Sequence, residues 1–293
     1  MSEGLSREER SGPGGRLFIV ATPIGNLGDI TLRALEVLRA VPLIAAEDTR
    51  MTRRLLERHG VQTRTVSFHA QSGPGRLAEL VAHLRSGSDL AVVTDAGTPA
   101  VSDPGEELVA AWAGDGGVVV PIPGASAVLA LVAASGAAGP RWSFEGFLPR
   151  SGRERRERLA RIAADERATV IYEAPGRVAV TLADLAAACG AERPGTIGRE
   201  LTKMHEEIVR GPLGELAARA RNGELTLRGE FAILVGAWTE ATPAAGMPDE
   251  DAALADVDRR VAAGAPRGEA VRAVAAETGI ARRRLYRIDG TRR

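Results

Sequence analysis

One cysteine, Cys189, stands in 293 residues, which excludes an internal disulfide and a metal site built from cysteines. It falls in the apolar stretch Leu182 to Gly190, at a helix end, where a buried structural thiol is expected rather than a nucleophile. Aromatic residues make up only 3% of the chain, so the core has to be assembled from Ala, Val, Leu and Ile. No run of about twenty apolar residues occurs, and no membrane span is expected. The stretch from Met1 to Gly15 is polar and glycine-rich, without the apolar core of a signal peptide, so it is expected to be disordered and the protein cytoplasmic. Lysine is nearly absent as well: of 38 basic residues, Lys203 alone is lysine. Arginine replaces lysine freely on a solvated surface but not where a compact ammonium is needed, which makes Lys203 a candidate for chemistry.

What is present points to an α/β protein. The 34 glycines and 16 prolines fall at element ends rather than in one low-complexity block. From Arg16, short apolar runs alternate with helical patterns. Strands are predicted at Leu17 to Ala21, Pro42 to Glu47, Thr63 to Phe68, Asp89 to Thr94 and Val118 to Ile122. Helices are predicted between them, the first capped by Asp29 and the fourth beginning near Asp103. Five strands alternating with helices predict a parallel sheet over residues 16–123, covered on both faces. Over residues 124–238 two strands, Gly195 to Glu200 and Glu206 to Arg210, follow one another without a helix, which predicts a mixed sheet. Residues 239–250, rich in Ala, Pro and Gly, read as a linker. Residues 251–293 read as a small module of three short helices, like a helix-turn-helix, with Gly264 and Gly279 at the turns.

In a parallel sheet ligands bind at the carboxyl ends of the strands, and the unusual loops of this sequence collect there. They are ATPIGNLGD (Ala21 to Asp29), EDTR (Glu47 to Arg50), TDAGTPAVSDPG (Thr94 to Gly105) and PIPGASA (Pro121 to Ala127). None is a dinucleotide-binding or P-loop signature. Within the third loop, Ser-Asp-Pro-Gly is also a good helix start, which assigns Asp103 to capping. The four histidines show no metal-ligand spacing, and no metal is expected.

These loops, followed in order by YEAPGR, RELTKMHEE and GEFAILV, resemble the tetrapyrrole methylase superfamily, and within it the ribosomal RNA small-subunit methyltransferase I group. The resemblance covers about Arg16 to Trp238, and the terminal helical segment is similar to that group's C-terminal domain. It implies two α/β domains with the active-site cleft between them and a homodimer. It also implies an S-adenosylmethionine-dependent enzyme that methylates a cytidine 2′-hydroxyl in the decoding region of small-subunit ribosomal RNA, acting on the assembled subunit. The implied cofactor contacts are Pro23, Gly25, Asp95, Gly97, Thr98, Pro99, Val101 and Ser102 from the first domain. Tyr172, Glu173, Glu230 and Ala232 are those of the second. Removing the hydroxyl proton and stabilising the developing alkoxide are the chemical tasks. Lys203 is the first choice for them, as polarising ammonium or desolvated base, with Glu206 or Glu207 as the alternative base.

Binding RNA requires local positive charge rather than net charge, which is zero here. Three arginine groups qualify: Arg50, Arg53 and Arg54 with Arg58; Arg150, Arg153 and Arg155 with their neighbours; and Arg283 with Arg284 near the end. Each can equally be a solvated helix face. The scarcity of aromatics argues against base-stacking platforms. Two other readings remain open. A corrin or porphyrin precursor C-methyltransferase on the same fold needs no arginine clusters. An RNA-binding scaffold without catalysis needs no intact cofactor loops.

Overall fold

The structure is a computed structural model that describes residues 14–237, 250–278 and Leu285. Its first sheet is built from β1 (Arg16–Val20), β2 (Leu43–Ala46), β3 (Thr65–Ser67), β4 (Leu90–Val93) and β5 (Val118–Ile122). All pairings are parallel, in the order β3-β2-β4-β1-β5. Helices α1 (Leu32–Ala40), α2 (Thr49–Arg58), α3 (Pro74–Arg85) and α4 (Glu106–Gly114) cover it. Alternate residues of β1 face opposite layers, and both are apolar. Phe18 and Val20 pack with Leu35 and Leu38 of α1 and Leu56 of α2. Leu17 and Ile19 pack with Leu80 and Leu84 of α3 and with Leu108 and Trp112 of α4. A strand buried on both faces must be apolar throughout, which is why these strands read as continuous runs. Each fully buried Leu or Ile contributes about 2 kcal/mol.

Two helix starts differ from the sequence reading. Thr31, not Asp29, caps α1, its hydroxyl accepting from Ala34 N at 3.1 Å. Asp29 closes a short 3-10 turn instead. Helix α4 begins at Glu106, with Gly105 as its cap at φ 130°, so Asp103 is not a helix cap.

The second sheet contains β6 (Trp142–Phe147), β7 (Ala168–Glu173), β8 (Pro194–Arg199), β9 (Glu207–Pro212) and β10 (Phe231–Val235), in the order β6-β7-β10-β8-β9. It is mixed, as expected: β6 and β7 are parallel and the other neighbours antiparallel. One face carries α6 (Gly152–Ala164), α7 (Val178–Cys189) and α8 (Leu213–Arg221), joined through Leu159, Leu182, Leu216, Ile197 and Ile233. Cys189 is buried in that layer, where loss of hydration pushes its thiol up to about 11. On the other face α5 (Ala127–Ser135) packs Val128 and Leu131 against Val170 and Leu234. The same cluster takes in Ile24, from the loop after β1. The cleft is thus closed at its base by apolar contact between a first-sheet loop and the second sheet.

Beyond these sheets α9 (Glu250–Ala262) and α10 (Arg267–Thr278) pair through Val257, Val271 and Val274, with Gly264 at the turn (φ 97°). Leu285 is buried in that cluster. Residues 1–13 of the expected disordered start, most of the linker and most of the expected third helix with Gly279 lie outside the described residues, whereas Gly15 is fixed, its N–H donating to Leu84 O at 2.7 Å. Among the described residues no helix is long and apolar enough to cross a membrane.

Candidate functional site

The loops after β1 and β4 are locked to each other before any ligand is considered. Thr22 and Gly97 exchange backbone hydrogen bonds (2.8 and 3.1 Å), and Thr22 Oγ1 donates to Thr94 O at 3.0 Å. Beyond this bridge the chain folds back sharply. Ala100 and Ser102 hold positive φ (68° and 66°), a conformation that costs a side-chain-bearing residue about 1–3 kcal/mol. The other two such residues among those described, Glu200 and Thr202, lie in the loop after β8. Strain is therefore concentrated in two loops, and both border one cavity of about 440 Å³. Ile24, Ala127, Leu201 and Phe231 give it an apolar wall, while Ser102, Asp103, Ser126 and Glu230 bring polar groups.

Eight of the twelve residues expected at the cofactor line this cavity: Gly97, Thr98, Val101, Ser102, Tyr172, Glu173, Glu230 and Ala232. Pro23, Gly25, Asp95 and Pro99 are not part of its wall. Asp95 supports the loops instead: its carboxylate accepts from Asp48 N (3.1 Å), and its own N–H donates to Glu47 (3.2 Å). Partial burial raises its pKa, and the nearby Asp48 charge adds to this. Glu173 lines the cavity, but its side chain is fully buried and committed to Thr181 Oγ1 (2.6 Å), Ala174 N (2.8 Å) and Arg177 (3.2 Å).

Lys203 stands at the edge of the cleft and touches both halves of the molecule. Its ammonium lies 3.0 Å from Glu200 and 3.0 Å from Glu230, and Glu230 belongs to the cavity wall. Its stem lies on Gly25, where an added Cβ would meet Lys203 Cγ at 2.3 Å. Burial works to lower the Lys203 pKa, but the hydrogen bonds and charges of the two glutamates outweigh it and raise the value. This raised value favours the reading of Lys203 as an ammonium over that as a desolvated base. Glu206 and Glu207, the alternative bases, are turned elsewhere. Glu206 accepts from Thr202 N at 2.6 Å within its own turn, and Glu207 pairs with Arg199 at 3.0 Å.

Sequence reasoning missed Asp103, because Ser-Asp-Pro-Gly satisfies the rules for a helix start. A competing signal was available in Glu106 and Glu107, acids that favour the first turn of a helix and mark where α4 begins. Burial, then the Glu47 charge, raises the Asp103 pKa to about 6, with Asp95 adding to it. The Thr94 hydroxyl faces the carboxylate and offsets part of the rise, although its Oγ1 makes no hydrogen bond of normal geometry. The aromatic residues were also underrated. Phe144 and Phe147 contact the Tyr172 ring at 4.9 and 5.6 Å between centroids, and Phe147 remains 55% exposed at the cavity wall.

Of the arginines, Arg50, Arg53 and Arg54 are exposed on α2, and Arg150 and Arg153 are exposed at the start of α6. Arg155 faces inward instead. Its guanidinium bonds Asp184 (2.7 Å), Thr181 Oγ1 (2.9 Å) and Pro149 O (2.9 Å), so it holds α6 to α7 and is not available to RNA. Arg283 and Arg284 lie outside the described residues.

Comparison with known proteins agrees with this geometry. Residues 16–217 match the family model described as tetrapyrrole (corrin/porphyrin) methylases. A protein named ribosomal RNA small subunit methyltransferase I from Synechocystis sp. is 46% identical over 94% of this chain and 97% of its own length. Its namesake from Xylella fastidiosa is 42% identical over 93% and 98%. Among solved structures, a cobalt precorrin-4 methyltransferase superposes with a TM-score of 0.59 at 19% identity, covering 75% of this chain and 94% of its own. A uroporphyrin-III C-methyltransferase from Thermus thermophilus, complexed with S-adenyl homocysteine, gives 0.55 at 19% identity over 76% and 97%. The two-sheet architecture, the loop-lined cleft and the full-length identity lead to one conclusion: the chain belongs to the tetrapyrrole methylase family, in its ribosomal RNA small subunit methyltransferase I group.

Proposed function

We propose that this protein uses S-adenosylmethionine to methylate the 2′-hydroxyl of a cytidine in the decoding region of small-subunit ribosomal RNA, acting on the assembled subunit. The observation that carries the reading is the 46% identity to the Synechocystis protein over nearly the whole of both chains. The cavity suits the methyl donor. A volume of about 440 Å³ lies in the range of small-ligand sites. Its apolar wall fits a nucleoside, and the carboxylates of Asp103 and Glu230 answer a cationic ligand. When bound, S-adenosylmethionine supplies an already activated methyl group.

The chain's own residues then have three tasks. The loops bearing Ala100, Ser102, Glu200 and Thr202 are rigid by strain and by the Thr22–Gly97 bridge, which serves alignment of the reacting atoms. Ile24, Leu201 and Phe231 exclude water from the cavity. Lys203 holds Glu200 and Glu230 together at the rim, and so fixes the Glu230 carboxylate at the cavity wall. The exposed arginines of α2 and α6 contribute to RNA affinity through phosphate contacts.

The competing substrate is a tetrapyrrole precursor, on the precedent of the fold. Offering labelled donor together with undermodified small subunits and a uroporphyrin or precorrin precursor separates the two. Label is expected in the ribosomal RNA; label in the tetrapyrrole alone contradicts the proposal.

A further inference from the structure

Four titratable residues line the cavity: Asp103, Tyr172, Glu173 and Glu230. Three are unsuited to accepting a proton from a bound substrate. Glu173 is committed to Thr181, Ala174 and Arg177. Glu230 is 76% exposed and tethered to Lys203. Burial and the Asp103 charge hold the Tyr172 phenol above its ordinary pKa, so it stays protonated at neutral pH. Asp103 is different. The groups that act on it are the Thr94 hydroxyl at the end of β4, Glu47 after β2 and Asp95 in its own loop, and none of them is a cation. Tyr172 of β7 faces it from the second sheet. The loop that carries it is fixed by the positive-φ residues Ala100 and Ser102 and by Gly105 at φ 130°.

We infer that Asp103 is the proton acceptor of the methyl transfer, a carboxylate without a cationic partner among the described residues, presented on the cavity wall by a strained loop. The inference rests on the reading of the cavity as the site of ribose methylation. As the carbon–oxygen bond forms, the carbon–sulfur bond breaks with its electron pair left on sulfur, and the hydroxyl proton passes to an Asp103 oxygen. The products are the 2′-O-methyl ribose, S-adenosylhomocysteine and a protonated Asp103 that returns its proton to solvent. A carboxylate whose pKa is raised to about 6 is a stronger base than an ordinary one and is still ionised at pH 7. The base must be ionised to act, so the rate falls as pH drops through the Asp103 pKa of the donor complex, which the cationic donor places below the value of about 6 held without it. A cationic donor bound nearby favours the ionised form, so donor binding near pH 6 drives a proton off Asp103.

The test uses the full chain, S-adenosylmethionine and undermodified small ribosomal subunits, with D103N and D103E beside the wild type. Single-turnover methylation is followed from pH 5 to pH 9. Donor binding is measured by calorimetry at pH 6 in two buffers of different ionisation enthalpy, which reports proton release. D103N, which removes a charge beside the cationic donor, is expected to weaken donor binding by no more than about tenfold at pH 7.5 and, at saturating donor, to lose about 100-fold or more in rate. It should also lose the acid limb of the profile and the proton release. D103E should restore part of the rate together with an acid limb, which a failure of D103N to fold would not mimic. A D103N rate within tenfold of wild type, an acid limb retained in D103N, or equal proton release in both proteins overturns the inference. Wild-type protein inactive on the subunits overturns the proposed function and this inference with it. Wild type and D103N both active overturn the assignment of Asp103 alone.

Discussion

A carboxyl whose folded pKa lies well above its unfolded one weakens the fold in exchange for basicity, and Asp103 is placed to do so. Its value rises from 3.8 to about 6 on folding. Between about pH 4 and pH 6 the native state therefore binds more protons than the unfolded one, and stability falls as pH rises across that window. Allowing for solvent screening of a half-buried group, the loss is about 1 kcal/mol at pH 8. D103N is expected to melt about 2–4 °C above wild type at pH 8 and level with it at pH 4. Equal melting at both pH values would show that Asp103 is not under electrostatic strain. At Gly25 the constraint is steric: a methyl there would stand 2.3 Å from Lys203 Cγ. G25A is expected to lose about 1–3 kcal/mol and to pull the ammonium from Glu200 and Glu230. In a K203A background the same change should destabilise less, and a double-mutant cycle from denaturant melts measures the difference. Strictly additive effects would deny that Gly25 and Lys203 touch.

Helix α6 shows how one element divides its arginines between structure and surface. Leu159 and Ile162 mark its buried stripe, and Arg155 precedes them at four and seven residues, on the same face. That spacing was legible in the sequence, but the run of charges hid it. R155A is expected to cost about 2 kcal/mol, because it removes the buried guanidinium's hydrogen bonds to Thr181, Asp184 and Pro149 O that hold α6 to α7. On α2 the outcome should be the reverse. Changing exposed Arg53 and Arg54 together to Ala should leave the melting temperature unchanged and weaken subunit binding. The log–log salt dependence of that binding should become shallower by about one for each phosphate these two arginines neutralise. An unchanged salt slope would remove α2 from the RNA interface. Strand β5 has the bounds expected from the sequence, Val118–Ile122, since β-branched residues between the Gly116-Gly117 pair and Pro123 leave little choice even for a half-buried edge strand. The start of α4 was not legible in the same way, because Asp103 and Glu106 each satisfy a rule for helix beginnings and only the left-handed turn at Ser102 decides between them.

At the scale of the molecule, each sheet supplies one side of the cleft. The loops after β1 and β4 were identifiable as strand-end loops rich in Gly and Pro, and eight of the expected cofactor residues do line the cavity. What the sequence did not reveal are pairings distant along the chain. Within the second half Lys203 meets Glu200 and Glu230 rather than its neighbours Glu206 and Glu207, because β8 and β10 lie side by side, and Ile24 of the first half joins the core of the second sheet. Such pairings depend on strand order and on how the sheets approach, which no local pattern encodes. Composition counts residues but does not place them, and the fold gathers Phe144, Phe147 and Tyr172 into one aromatic cluster.

The central claim is methylation of a ribose hydroxyl in small-subunit ribosomal RNA, and mapping the transferred methyl tests it most directly. Undermodified subunits are treated with the protein and isotopically labelled S-adenosylmethionine, the RNA is digested, and labelled nucleosides are placed by mass spectrometry. The account predicts label on the 2′-oxygen of a cytidine within the decoding region. Label on a base, on another RNA segment, or nowhere in the subunit would contradict it.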